Sequence, residues 1–503
     1  MLFNSLHFVI FFPLFLCAYF LVPRKDQYKV MVLGGYYFYG SFNWYLLLIL
    51  FGITCNDFFA GKMIEKTTEP HKRKRWLMLS IAGNLGVLIA CKYLNFIDDN
   101  LREIFAFFHI NWPIAEVAMN DWIVPVGVSF ITFQSLSYTI DVYKGLIRAE
   151  KSFGHFCAFT AFWPVMVNGP IERGKNLLPQ INCEHAFDVF RLKEGLLRMA
   201  WGMFKKVVIA DRLAFYVDDF YTHYQVVSGW TIWIGGFLFL LQVYCDFSGY
   251  SDIAIGCARI LGIDVMENFK RPLYSKNMSD FWTRWHISLS TWLTDYVFYY
   301  LGAYKAGSLK VVFNVIFVLT LCGLWHGANW PMILAFTLIG IFMAIRFLWQ
   351  QYIVRQIKPS NLYKISDKYI PSFMHVILTI SIFIFCFILF RVNSFEVTYN
   401  KLHAEAPLSW MEIAKPLYQH MFNLTSATYL LPWLNFKGAV TLGILIFYIL
   451  ILLASEYVIG DRKIEEVVLP KSNLIRWSVY LFLLFSIVWF GVFNNTTFVY
   501  FQY

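Results

Sequence analysis

The sequence predicts an all-α, polytopic membrane protein, and three observations carry that prediction. Of the 503 residues, 58% are hydrophobic and 20% aromatic, whereas only 15% are charged, a composition outside the range of soluble globular domains. Apolar runs of about twenty residues recur along the chain, each long enough to cross a bilayer as a helix. Lys and Arg collect between those runs, which is the pattern of the positive-inside bias. The net charge of +10 therefore belongs to membrane loops and does not point to nucleic acid. Nine Cys are scattered, most of them inside apolar segments, without the paired spacing of a disulfide framework or a zinc site.

The first apolar run, Leu2 to Val22, has no basic residue before it and no small-residue cleavage site. It reads as a retained span. Arg24, Lys25 and Lys29 follow it and place that end inside, with the N-terminus outside. Residues 30–56 are apolar but interrupted at Gly34-Gly35 and at Gly40-Ser41-Phe42-Asn43, and a second basic loop follows (Lys62, Lys66, Lys72, Arg73, Lys74, Arg75). Both loops lie inside only if 30–56 is a broken or re-entrant pair of short helices, which a covering of protein allows. A single tilted helix is the alternative. Residues 76–94 cross outward, the loop Asn95 to Asp121 is poor in Lys and Arg, and Val124 to Val142 returns inward. Phe153 to Pro170 is apolar yet has basic residues on both sides (Lys151, Arg173), which predicts a re-entrant segment turning at Gly169-Pro170.

Residues 195–216 cross outward with Lys205-Lys206 and Asp211-Arg212 inside the apolar run. Snorkelling explains one such charge but hardly four. Mutual pairing within a bundle and binding of an anionic donor are the two readings. Trp230 to Ala258 crosses inward and carries the polar stretch Asp246-Phe247-Ser248-Gly249-Tyr250-Ser251-Asp252, for which helix–helix hydrogen bonding is the plain explanation. Arg259 to Thr294 is dense in charges and aromatics, including Lys270, Arg271, Lys276, Arg284, Trp285 and His286, and is expected along the inner face.

Residues 309–326 and 332–349 form a hairpin joined by Leu321-Cys322-Gly323-Leu324-Trp325-His326-Gly327-Ala328-Asn329-Trp330-Pro331. His326 thus sits near bilayer depth, where an ionisable side chain is costly and by default a functional candidate. Gly323 and Gly327 beside it admit close approach of another backbone, and Pro331 limits where the next helix begins. A turn whose His merely hydrogen-bonds a neighbour is the plain alternative. Residues 371–391 go outward, the loop 393–437 lies outside, 438–458 return to Arg462, Lys463, Lys471 and Arg476, and 474–493 leave the tail 494–503 outside. The expected architecture is one integral-membrane domain over 1–503, with about 10–11 spans plus re-entrant segments.

His286 and His326 are the residues best suited to chemistry, because imidazole titrates near neutral pH and transfers protons there. Neither has a third His, Cys or carboxylate at helical ligand spacing, so a metal role is weakly supported. No nucleophile elbow, Walker loop or Rossmann fingerprint is present.

Several motifs in order give the chain a resemblance to a known family. They are Pro125-Val126-Gly127-Val128-Ser129-Phe130, Phe133-Gln134-Ser135-Leu136-Ser137-Tyr138-Thr139-Ile140-Asp141-Val142-Tyr143, Asn168-Gly169-Pro170-Ile171 and Gly202-Met203-Phe204-Lys205-Lys206. After them come the stretch Asp246 to Ala254, Phe281-Trp282-Thr283-Arg284-Trp285-His286-Ile287-Ser288-Leu289-Ser290, and Leu324-Trp325-His326-Gly327-Ala328. Together these cover most of residues 120–335, and they resemble the membrane-bound O-acyltransferases, in the bacterial branch of alginate and peptidoglycan O-acetyltransferases.

The resemblance implies a helical ring, thinned at its centre, with a funnel from each face. It implies a bacterial inner-membrane location, His326 as the catalytic His and His286 as the second motif His. The implied donor is a cytosolic acyl thioester, acetyl-CoA, with no bound cofactor. The basic segment around Lys270, Arg271, Lys276 and Arg284 would attract its phosphates. Lys205, Lys206, Asp252, Trp285, Trp325 and Asn329 complete the set of candidate substrate-binding residues.

The tail Phe498-Val499-Tyr500-Phe501-Gln502-Tyr503 resembles a C-terminal Phe-x-Tyr-x-x-Phe motif of the same branch, with Tyr503 where the motif has Phe. By that resemblance Tyr500 accepts the acyl group as an ester, His326 deprotonates it, and an extracytoplasmic SGNH-type transferase carries the group to a polysaccharide. A phenol titrates near pH 10 and needs such a base at neutral pH. Aromatic anchoring at the membrane interface is the competing reading of the tail. An acyltransferase acting directly on a lipid and a transporter are the rival functions. Transporters usually show matching halves, and none are visible.

Overall fold

The computed structural model describes residues 1–110, 127–223, 228–305, 307–354, 372–402, 408–422 and 436–493. The tail with Tyr500 and Tyr503 and the motif residues Pro125 and Val126 lie outside them. The fold is helical, at 79% helix and with no strand among the described residues. Among the described residues, eight helices are long and apolar enough to cross a membrane: 46–66, 70–107, 229–260, 308–326, 330–352, 373–392, 440–459 and 473–490. A ninth, Leu6–Leu21, is apolar but shorter. Helices of this kind satisfy every backbone group internally, as the bilayer demands.

By its internal contacts the chain divides into two compact units, Met1–Met199 with Ile253–Met266, and Ala200–Asp252 with Glu267–Tyr503. In the first unit, α1 (Leu6–Leu21) and α2 (Gln27–Gly40) precede α3 (Leu46–Lys66). The break in the apolar run 30–56 falls at the Gly-Ser-Phe-Asn stretch, as expected. The second piece is not short, however: α3 has 21 residues and is long enough to cross alone. Helix α4 (Pro70–Leu88) continues through a π-helical turn, Ile89–Tyr93, into α5 (Leu94–Phe107). The expected loop after residue 94 is therefore helical at its start. Leu94, Ile97, Leu101 and Ile104 carry the helical spacing that explains this.

Helix α6 (Val128–Tyr143) is buried along nearly its whole length and carries hydroxyls on several sides. From it, Ser135 donates to the fully buried Asp57 of α3, which also accepts from Ser80 at 2.6 Å and from Asn84 at 2.8 Å. A carboxylate inside a helix bundle is tolerated when saturated by donors in this way. The expected re-entrant segment is the eight-residue α7 (Phe153–Thr160) followed by non-helical, buried backbone over 161–173. Trp163 anchors it against Phe3, Phe8, Phe11, Phe12 and Phe15 at ring separations of 5.4–6.3 Å. The unit continues through α8 (Gly174–Ile181) and into α9 (Val189–Met203).

The second unit holds a π-helical stretch, Phe204–Ala210, then α10 (Asp211–Thr222) and most of α11 (Gly229–Ile260). Two short helices follow, α12 (Met278–Arg284) and α13 (Ile287–Leu293), with Trp285 and His286 between them. The hairpin pairs α14 (Ser308–His326) with α15 (Trp330–Leu348). Pro331 sits in the first turn of α15, and Asn329 caps it by accepting from the Met332 N–H at 2.9 Å, the expected chemistry of a helix start. Gly323 lets the two helices close: a Cβ there would meet the Met332 carbonyl oxygen at 2.8 Å. The remaining helices are α16 (Ser372–Leu402), α17 (Trp410–His420), α18 (Phe436–Ile459), α19 (Ile464–Val468) and α20 (Asn473–Phe490). The expected outer loop 393–437 thus contains the end of α16 and all of α17.

Candidate functional site

The site is built within the second unit from the end of α14 and the turn before α13. His326 is the last residue of α14, and the extended backbone of Gly327 ends the helix immediately after it. His286 occupies the single residue between Trp285 and α13, with φ 44° and ψ 53°. That left-handed conformation is strained for a side chain with a Cβ. The two imidazole rings lie 5.9 Å apart, centroid to centroid.

Aromatic rings enclose the pair. The His326 ring stacks on Phe336 of α15 at 4.7 Å and 16°. Trp325 stands 4.8 Å from His326 and 5.8 Å from His286. Phe247 of α11 meets His286 edge-on at 4.6 Å. Both histidines are buried, at 2% exposure for His286 and 5% for His326. His286 lies outside the spanning helices, and burial pushes its pKa down to about 3. It is a neutral imidazole at physiological pH, with one donor and one acceptor nitrogen.

Beside this pair, α11 carries its acids against the π-helical stretch. Lys205 forms an ion pair with Asp252 and donates to Ser248 at 2.9 Å. Lys206 reaches Asp246 at 2.5 Å and Asp211 at 2.8 Å. Gly249 permits the close approach, since a Cβ there would meet the Gly202 carbonyl oxygen at 2.7 Å. Tyr244 donates to Glu456 of α18. The two lysines are buried opposite carboxylates, as the physics of buried charge requires.

The basic segment is arranged differently. Arg271 and Arg284 both reach Asp461, at 3.0 and 2.7 Å, and Arg284 also reaches Asp280 at 2.7 Å. Hydrogen bonding from Arg284, and then from Arg271, holds the Asp461 carboxyl below the usual carboxylate range. Lys270 is exposed, and its backbone N–H donates to the Arg284 carbonyl at 3.0 Å. Trp285 faces away from this edge into an aromatic layer with Phe269 and Phe281, at 5.1 and 5.3 Å.

Of the candidate residues, the fold joins His286, His326 and Trp325 in one cluster. It places Lys205, Lys206 and Asp252 in a second and Arg271 and Arg284 in a third, and gives Asn329 to the cap of α15. Glu456 and Asn268 are among the buried polar residues not singled out from the sequence. Glu456 had a signal, a carboxylate inside the apolar run 438–458. Asn268 had none, because a lone Asn in a polar stretch is ordinary.

The model of the membrane-bound O-acyltransferase family matches residues 31–392. The chain belongs to this family. The matched segment contains both histidines and both charged clusters apart from Glu456 and Asp461. Among this acyltransferase's relatives, a probable alginate O-acetylase of Pseudomonas aeruginosa is 33% identical over 86% of this chain and 80% of its own length. A peptidoglycan O-acetyltransferase of Helicobacter pylori is 30% identical over 69% of this chain and 70% of its own. A teichoic acid D-alanyltransferase of Bacillus subtilis is 28% identical over 40% of this chain and 53% of its own.

Proposed function

We propose that this O-acyltransferase takes acetyl groups from acetyl-CoA at the inner membrane face and passes them outward for O-acetylation of an exported polysaccharide. The alginate and peptidoglycan O-acetylating relatives support the acceptor class. The observation that carries the reading is the His286–His326 pair, two buried imidazoles 5.9 Å apart in an aromatic enclosure. Such an enclosure excludes bulk water, which protects a thioester and an acyl ester from hydrolysis.

In the proposed reaction His326 takes the phenolic proton of Tyr500 as the phenolate oxygen attacks the thioester carbonyl carbon. Collapse of the tetrahedral intermediate breaks the carbon–sulfur bond, and the imidazolium returns its proton to the leaving CoA thiolate. The product is an acetyl-tyrosine ester and free CoA. His286 supports the step as a neutral hydrogen-bonding or relay group. A serine of an SGNH-type partner outside the membrane then takes the acetyl group, regenerates the phenol and delivers the group to a sugar hydroxyl. The exposed Lys270 supplies positive charge for the CoA phosphates, at an edge where Arg271 and Arg284 are paired with Asp461 and Asp280. Because Lys205 and Lys206 already face carboxylates, we assign them and Asp252 to holding α11 in place behind His286. Asn329 and Trp325 fix the turn that carries His326, and Trp285 fixes the turn that carries His286.

The test is mass spectrometry of the C-terminal peptide after incubating the purified protein with acetyl-CoA. An acetyl adduct on Tyr500 that disappears in His326→Ala is the expected result. Acetyl-CoA hydrolysis that depends on His326 but leaves no adduct would discard the tyrosine relay and retain the acyltransferase. No turnover at all would favour a transporter.

A further inference from the structure

His286 is held to its own helix through its carbonyl, which accepts from the Leu289 and Ser290 N–H groups at 3.0 and 2.9 Å. It stands at the N-terminus of α13, and its side chain makes no capping hydrogen bond there. Helix N-termini leave N–H groups that must be satisfied from elsewhere. Here a residue eighteen positions upstream supplies the acceptors. The backbone carbonyl of Asn268 accepts from the Ile287 N–H at 2.9 Å. Its side-chain Oδ1 accepts from the Ser288 N–H at 3.3 Å and from the Ser288 hydroxyl at 2.9 Å. Its Nδ2 donates to the Ser251 hydroxyl of α11 at 3.1 Å.

Asn268 is fully buried, at 0% exposure. It therefore ties the first two residues after His286 to the helix that also presents Phe247 to the His286 ring. Once these two residues are pinned, the backbone of His286 can shift relative to His326 only if the left-handed turn at His286 relaxes.

We propose that Asn268 is a positioning residue: its carboxamide bolts the His286 turn to α11 and thereby sets the distance between the two imidazoles. The role rests on the reading of His286 and His326 as the reacting pair. The geometric claim stands apart from it and is tested separately.

The full-length protein in detergent, as wild type, Asn268→Ala and Asn268→Asp, is treated with diethyl pyrocarbonate, and modification of each histidine is followed by peptide mass spectrometry. Asp keeps both acceptor positions toward Ser288, and the Ser251 hydroxyl rotates to donate to it. The expected result is faster modification of His286 in Asn268→Ala, with other histidines unchanged and Asn268→Asp close to wild type. In parallel, kcat for acetyl-CoA consumption falls by about tenfold or more in Asn268→Ala while KM stays within about twofold, as misplacement of a group near the chemistry produces. Asn268→Asp recovers most of the loss. Unchanged His286 reactivity in Asn268→Ala overturns the proposal. So does a rise at every histidine accompanied by a lowered melting temperature, which marks a general structural role. Wild-type protein without His326-dependent turnover defeats the functional reading alone, and the labelling result still decides the role of Asn268.

Discussion

The rings of His286 and His326 lie 5.9 Å apart although forty residues separate them in the chain. One ends a membrane-spanning helix, and the other occupies a left-handed turn between two short ones. Aromatic rings of Phe247, Trp325 and Phe336 enclose the pair.

Removing the proposed base should be decisive. His326→Ala is expected to lower acetyl-CoA turnover by about 10²–10⁴-fold, the range for loss of general acid–base catalysis. Steady-state release of free thiol measures it. Turnover within about twofold of wild type would exclude His326 as the base.

The tail prediction separates chemistry from anchoring. Tyr500→Phe keeps an aromatic group for the membrane interface and removes the hydroxyl proposed to accept the acetyl group. Acetylation of exported polysaccharide should vanish while the protein remains in the membrane at normal levels. Full polysaccharide acetylation in this variant would show that the tail only anchors.

The buried ion pairs predict an asymmetric stability effect. Lys205→Met leaves Asp252 as a buried charge without its lysine, at a cost of about 3–5 kcal/mol. Replacing both, as Lys205→Met with Asp252→Leu, should recover much of that loss. Thermal melts in detergent compare the two variants. Equal destabilisation would indicate that the pair is not the source.

Helix closure at Gly323 is testable by adding one methyl group. Gly323→Ala places a Cβ 2.8 Å from the Met332 carbonyl oxygen, and backbone yields less readily than a side-chain tip. The expected cost is about 1–3 kcal/mol for overpacking, together with reduced turnover because His326 lies three residues further along α14.

Acid sensitivity should trace in part to His286. Burial lowers its pKa from 6.5 to about 3, so between these values the unfolded chain binds a proton that the folded chain refuses. Stability from this residue is complete above pH 6.5 and declines as pH falls toward 3. His286→Gln should flatten that part of the stability–pH curve. An unchanged slope would show that other groups carry the acid limb.

Much of the architecture was legible in the sequence because bilayer spans leave a strong signal in one dimension. The hairpin expected over 309–326 and 332–349 is observed over 308–326 and 330–348. His326 stood out because an imidazole in so apolar a run is expensive. The helical continuation after residue 94 was less visible. Polar residues interrupt its apolar spacing, and Lys-poor composition reads equally as loop.

By itself, then, the sequence determined the membrane class, the helix boundaries around the hairpin and the two histidines, since hydrophobic length and the cost of buried charge act locally along the chain. Only the tertiary structure decided which groups meet: Lys205 with Asp252, Tyr244 with Glu456, and Asn268 with the turn at His286. Those pairings depend on how helices cross, and on glycines such as Gly249 that let backbones approach. No linear spacing encodes the crossing of two helices that are distant in the chain.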